Sequence, residues 1–344
     1  MGGLDLYFIG NKARFARQRA SGPLIEKVQI ALFQLYSLHP GEEGERKMRK
    51  NKAMIFWFCL PAVLSLLIMF VYPVCRTVLM SFFRVESLTA GLGDWSFFGL
   101  GNYSKIFSSQ SFRTAMSNMV VIWLVGGLIT LALALLMSVV LTSGIRGKKF
   151  FRAAIYMPNI ISAVALATMW IQYIFQYDYG LLNAIVTTLG MEKVKWLGSD
   201  MKFWTMTASF IFGSVGYYML IYISGIEGIP QDLYEAATLD GASKVQQFFR
   251  LTLPLLKGVI KTSITFWSIN ATTFFLWSKM FSPIDTEEST IVPVIYLYDM
   301  VFGGKGVVNR DAGAGAAVGV VLTLLIIAVY VITNRLFKKT DLEY

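Results

Sequence analysis

The chain carries six apolar segments, at about 54–82, 114–142, 152–176, 203–226, 258–280 and 314–336. Each is long enough to cross a bilayer as a helix, for which roughly 20 apolar residues suffice. In hydrocarbon every backbone N–H and C=O must be paired within the protein, so only helices and closed barrels can span. The period-two alternation of barrel strands is absent. The expected fold is therefore all-α and integral to the membrane, with six transmembrane helices. Composition agrees, because 55% of the 344 residues are hydrophobic and the mean hydropathy is +0.57, too apolar for a soluble domain of this length.

A net charge of +10 invites a nucleic-acid reading, and the placement of the charge argues against it. With the N-terminus in the cytoplasm, 21 of the 31 Lys and Arg residues fall on that side: in residues 1–53, around Arg146–Arg152, in the 227–257 loop and just after it at Lys261, and near the C-terminus. Eight fall in the opposite loops. The positive-inside rule then places both termini and the 227–257 loop in the cytoplasm, and no nucleic-acid partner is expected. Residues 1–53 form a polar, basic N-terminal segment. Within it, Ile25, Val28, Leu32, Leu35 and Leu38 recur at helical spacing, which predicts an interfacial helix over 24–38. Residues 338–344 form a cytoplasmic tail. Cys59 and Cys75 are sixteen helical residues, roughly 24 Å, apart and cannot bridge. The lone His39 is expected to be a solvated interface residue.

The 227–257 loop has an internal pattern of its own. Pro230 suits a first helical turn. Asp232 and Glu235 place negative charge where a helix dipole favours it. Gly241 can adopt the left-handed conformation that ends a helix. A second short helix from Lys244 to Leu253 is predicted, with Pro254 marking its end. Two helices at an angle, held outside the membrane, make a plug that another protein can grip.

This loop, with Glu235-Ala236-Ala237, then Asp240-Gly241, then Leu251-x-Leu253-Pro254, resembles the EAA loop of ABC importer permeases. Gly99-Leu100-Gly101-Asn102-Tyr103, Tyr179-Gly180-Leu181-Leu182-Asn183 and Phe151-Arg152 through Tyr156-Met157-Pro158 resemble further segments of the sugar-importer, maltose-type permeases. The likeness covers roughly residues 53–337. It implies the type I ABC importer permease fold, a transmembrane domain over 54–337 and a coupling loop over 227–257. Glu235, Ala236, Ala237, Asp240, Gly241, Leu253 and Pro254 would dock into a separate ATPase subunit and pass its motion to the spans.

No ionisable residue lies in the central part of any expected span, which argues against a proton relay or an intramembrane enzyme. Sodium coupling through carbonyls and hydroxyls stays open. There is no Gly-x-x-x-x-Gly-Lys-Ser/Thr phosphate loop, so the chain is read as a non-enzymatic subunit without a cofactor of its own. ATP and magnesium would belong to partner ATPases.

The polar groups inside the spans are neutral. The fourth expected span puts Gly213, Ser214 and Tyr217 on one face, and the fifth puts Phe266, Ile269, Asn270, Thr273 and Trp277 on one face. Aromatic plates beside amides and hydroxyls suit a sugar, although helix packing uses the same residue types. The maltose-type resemblance places its pocket on Ser214, Tyr217, Asn270 and Thr273, with a threonine at the last position where the family has asparagine. Pro158 should bend the third span. Gly313-Ala314-Gly315-Ala316-Ala317 permits close approach of another helix, a place for a partner subunit.

The resemblance thus implies a carbohydrate-importing permease subunit of a bacterial plasma membrane. Its expected partners are a second related permease chain, two ATPase subunits and an external solute-binding protein. The alternatives are an ABC permease for a polyol or glycerol phosphate, and a secondary transporter.

Overall fold

The computed structural model describes residues 52–304 and 310–337. The helix expected over 24–38, with most of the N-terminal segment, and the tail 338–344 lie outside the described residues. By its contacts the chain falls into two units, Met1–Tyr72 and Pro73–Tyr344. Helix α1, Met54–Met80, begins in the first and ends in the second, and carries a π turn at Leu67–Val71.

In the second unit a short antiparallel pair follows α1. Strand β1, Phe83–Arg84, lies against β2, Ser96–Phe97, with Phe83 opposite Phe97. Then come α2 (Gly101–Ser108), α3 (Gln110–Thr142), α4 (Lys148–Ile160), α5 (Ala163–Ile174), α6 (Leu181–Thr188) and α7 (Ser199–Glu227). Next are α8 (Gln231–Leu239) and α9, which runs from Lys244–Gln247 through a π turn at Phe248–Thr252 to Leu253–Leu255. The chain ends with α10 (Lys257–Thr272), α11 (Leu276–Phe281), α12 (Pro293–Phe302) and α13 (Ala312–Leu336).

Among the described residues, α1, α3, α7 and α13 are each long and apolar enough to span a membrane, and they match four of the six expected segments. The other two expected spans are not continuous helices. In the third, α4 and α5 meet at 98°. The break is not at Pro158, which lies inside α4, but at Ile161 and Ser162, both extended (ψ 139° and 133°). Pro158 removes one backbone donor without redirecting the chain. In the fifth, α10 stops at Thr272, Thr273 leaves helical geometry, and α11 starts only at Leu276. Thr272 Oγ1 donates to the Ser268 carbonyl (2.7 Å) and Thr273 Oγ1 to the Ile269 carbonyl (2.8 Å). Both are i−4 back-bonds, which bend helices, and the Ile269 carbonyl also accepts the Thr273 backbone N–H (2.9 Å), the last bond of the ladder before the break.

The core forms where α3, α7, α10, α12 and α13 pack together. α3 and α10 cross at Gly126 and Gly127, beside which the Trp267 indole lies. Trp267 Nε1 donates to the Trp123 carbonyl (2.9 Å), and Trp123 Nε1 donates to Ser268 Oγ (2.8 Å). The two indoles therefore lock one crossing in both directions. α4 approaches α7 so closely at Gly216 that a Cβ there would meet the Ile155 carbonyl and the Tyr156 Cα.

The loop asparagines are structural pins. Asn183 is buried and spends its whole amide: Nδ2 donates to the Tyr177 and Val194 carbonyls, while Oδ1 accepts from Val194 N and Trp196 Nε1. Asn102, also buried, donates to the carbonyls of Ser81 and Phe83. The small residues opening α13 are covered by this chain itself. A Cβ on Gly313 would meet the Phe83 carbonyl, and one on Gly315 would meet Val301. The partner-subunit place read from them is therefore occupied from within.

Candidate functional site

Helices α8 and α9 form a hairpin that holds its own shape. Pro230 is the residue before α8 (ψ 133°), not a member of its first turn. Gly241 has φ +79°, as the helix-ending role requires. Ala242 N donates to the Ala237 carbonyl (2.9 Å) and Gly241 N to the Thr238 carbonyl (3.0 Å), the paired bonds of a Schellman stop. Ser243 and Gln246 cap α9 reciprocally. Gln247 is buried between the helices and donates to Thr238 Oγ1 (2.9 Å) and the Ala242 carbonyl (3.1 Å). Farther along, the Tyr234 and Thr252 hydroxyls share a hydrogen bond of 2.9 Å.

Pro254 does not end the second helix. It sits within α9 just past the π turn, and the helix ends at Leu256 instead. Leu256 is fully buried and lies against Gly225 of α7, which fastens the hairpin to the span before it.

The hairpin's outward face joins the carboxylates of Glu235 and Asp240 to exposed apolar groups. Leu239 is 89% exposed, Val245 65% and Phe249 60%. Ala236 and Gly241 are exposed with them, Ala237 and Leu253 are half-buried, and Pro254 is exposed. Three apolar side chains held in water by a rigid frame are the chemistry of a docking surface.

Beside the hairpin a cleft of about 520 Å³ opens between three helices. α4 supplies Tyr156; α7 supplies Tyr217, Leu220, Ile221, Ser224 and Gly225; α10 supplies Gly258, Val259 and Thr262. Of the expected pocket residues only Tyr217 lines this cleft. Phe266, Ile269, Asn270 and Thr273 continue along α10 from Thr262 and are all exposed, so these four do share one open face. Asn270 Nδ2 donates to the hydroxyl of Tyr218 (3.0 Å).

Gly213 and Ser214 are buried. Gly213 faces Leu166 and Trp277, and its carbonyl accepts from Asn159 Nδ2 (3.3 Å). Trp277 is also buried, packed against Phe210, because the break at Thr273 turns it away from the face that periodicity gave it.

Three residues join this region that periodicity did not single out. Tyr218 has no exposure and fixes Asn270. Asn159 reaches the backbone of α7. Arg152 Nη2 pairs with Glu227 Oε1 at 2.8 Å, just before the hairpin. Arg152 lies in the segment from Phe151 to Pro158, whose resemblance to a family motif was the signal available for it; Asn159 directly follows that segment.

Comparison with known proteins places this geometry in context. The family model described as "Binding-protein-dependent transport system inner membrane component" matches residues 130–341. The diacetylchitobiose uptake system permease protein NgcF of Streptomyces coelicolor is 28% identical, over 86% of each chain. The arabinooligosaccharides transport system permease protein AraP of Halalkalibacterium halodurans is 30% identical, over 85% of this chain and 90% of its own. A crystal structure of a bacterial ABC transporter involved in importing the acidic polysaccharide alginate contains a chain of the same fold. It has a TM-score of 0.73 at 20% identity and covers 86% of this chain and 98% of its own.

Proposed function

Because the chain belongs to the binding-protein-dependent transport system inner membrane components, the permease subunits of ABC importers, we propose that it forms part of the pathway for a carbohydrate, an oligosaccharide above all. One observation carries the substrate class: an uncharged open face along α10. Phe266 and Ile269 offer apolar surface there, and Asn270 and Thr273 offer an amide and a hydroxyl. Tyr217 of α7 lines the cleft at its Thr262 end. A sugar presents hydroxyls that need donors and acceptors and C–H faces that pack on rings. A phosphate-bearing solute would call for a cation, and this face has none. Relatives named for diacetylchitobiose and arabinooligosaccharides support the same class.

In this reading the α8–α9 hairpin lies on the cytoplasmic side of a bacterial plasma membrane, together with both termini. Glu235, Ala236, Ala237, Asp240, Gly241, Leu253 and Pro254 belong to the element that docks into an ATPase subunit. Leu239 and Phe249 enter its cleft as apolar anchors, and Glu235 accepts charge-assisted hydrogen bonds there. The chain has no ATP site of its own; ATP and magnesium bind two partner ATPases. A second permease chain completes the pathway, and an external solute-binding protein delivers the substrate. A bacterial alginate ABC transporter has been solved in complex with an alginate pentasaccharide-bound periplasmic protein, which supports the last of these partners.

The test is ATP hydrolysis by the complex, co-purified with its partners in nanodiscs, with the binding protein and a panel of mono- and oligosaccharides. One carbohydrate is expected to stimulate the rate. Indifference to every sugar would overturn the substrate class. Asn270→Ala should raise the KM for that sugar about tenfold, the worth of one lost hydrogen bond of roughly 1–1.5 kcal/mol, with little change in the maximal rate.

A further inference from the structure

The hairpin's proposed movement needs a route into the spans other than the chain itself, and Arg152 supplies one. Glu227 is the last residue of α7, and only Gly228, Ile229 and Pro230 separate it from α8. A carboxylate at the C-terminal end of a helix opposes the helix dipole, so it needs a cation from elsewhere. Arg152 of α4 provides it, Nη2 to Oε1 at 2.8 Å. The pair is part-exposed, 32% for Arg152 and 50% for Glu227, so it adds little to stability. Its significance lies in what it joins.

α4 touches α7 at three successive levels. Arg152 holds the Glu227 end, the backbone of Ile155 and Tyr156 abuts Gly216, and Asn159 reaches the Gly213 carbonyl. Directly beyond, the chain turns by 98° at Ile161–Ser162. α4 is thus a short rod, tied at one end to the last residue of α7, three residues before the hairpin, and followed at the other by a sharp bend. Tyr156, at its middle, lines the cleft together with Tyr217.

We propose that Arg152 is a positioning residue for transport: its ion pair with Glu227 is the tether by which displacement of the hairpin swings α4 and resets the width of the cleft between Tyr156 and Tyr217. This rests on the coupling role given to the hairpin above.

The test measures carbohydrate taken up per ATP hydrolysed, with the full complex in proteoliposomes. In Arg152→Glu, uptake should fall at least tenfold while hydrolysis continues, so the ratio drops. Adding Glu227→Arg, which restores an opposite-charge pair, should bring the ratio back to within about twofold of the parent. If Arg152→Glu does not assemble, Arg152→Gln should still lower the ratio about threefold. A ratio unchanged in the single variants overturns the tether, because a merely structural role would depress uptake and hydrolysis together. So does a double variant that stays uncoupled. Gly241→Asp in the same assay separates the two ideas. If it leaves uptake intact, the coupling reading itself fails. If it stops uptake while Arg152→Glu and Arg152→Gln keep the parent ratio, only the tether fails.

Discussion

Gly241→Asp should abolish uptake while leaving the subunit in the membrane at its normal abundance. The backbone at Gly241 has φ +79°, which costs an L-residue about 1–2 kcal/mol. The bonds that close α8, Ala242 N to the Ala237 carbonyl and Gly241 N to the Thr238 carbonyl, depend on that conformation. The new carboxylate would stand at the negative end of α8, beside Asp240, where the helix dipole and a like charge both disfavour it. A Cβ at Gly241 would meet nothing within 4 Å, so the substitution has room in this chain. The damage is confined to the hairpin's shape and to whatever docks on it. Uptake and membrane abundance, measured together by transport assay and immunoblot, check the prediction. Gly241→Ala, which adds strain without charge, should fall between the two. Wild-type uptake by Gly241→Asp would remove the hairpin from the coupling path.

The second large effect is expected at Gly216, through packing rather than coupling. A Cβ there would meet the Ile155 carbonyl and the Tyr156 Cα, backbone atoms that cannot rotate aside as a side chain can. Gly216→Val must push α4 off α7, at a cost at or above the roughly 1–3 kcal/mol typical of overpacking. The Asn159 bond to the Gly213 carbonyl and the Arg152–Glu227 pair would be strained with it. The expected result is low abundance and early loss of the monodisperse complex on heating in detergent. Gly258→Ala is the contrast. That glycine lies in α10 with nothing within 4 Å of its missing Cβ. An alanine there should be neutral or stabilising by up to about 1 kcal/mol. Equal thermal behaviour of the two variants would show that the α4–α7 approach is not limiting.

How much of this could be read from the chain depended on how local each signal was. α1, α3, α7 and α13 announce themselves by sustained apolar length. The hairpin was legible in part for the same reason: the left-handed Gly241 and the helix-start charge of Asp232 act within a few residues, whereas both prolines sit elsewhere than expected and the Ser243–Gln246 cap was not read. The breaks were not. Apolar composition runs unbroken across Ile161–Ser162, and the proline that drew attention, Pro158, is accommodated inside α4. At Thr272–Thr273 the signal was two adjacent hydroxyls, residues equally at home inside a helix.

The pocket residues divided along similar lines. Of the five residues that helical spacing grouped on one face, Phe266, Ile269, Asn270 and Thr273 are exposed and Trp277 is buried. Spacing could not show that Gly213 and Ser214 turn toward buried neighbours, because those neighbours come from distant helices. Gly216 went unnoticed for that reason, since the atoms that need its missing side chain belong to α4.

The hairpin closes on itself through Gln247, the Tyr234–Thr252 pair and the Schellman stop, and it meets the rest of the chain chiefly at its base. On the coupling role proposed above, a part built this way is an interchangeable adaptor. Its outward residues can drift to suit a different motor protein without disturbing the walls that meet the cargo, and those walls can change cargo without renegotiating the motor. On the same proposal, two importers driven by one ATPase would keep the apolar pair Leu239 and Phe249 and differ along the face bearing Asn270 and Thr273.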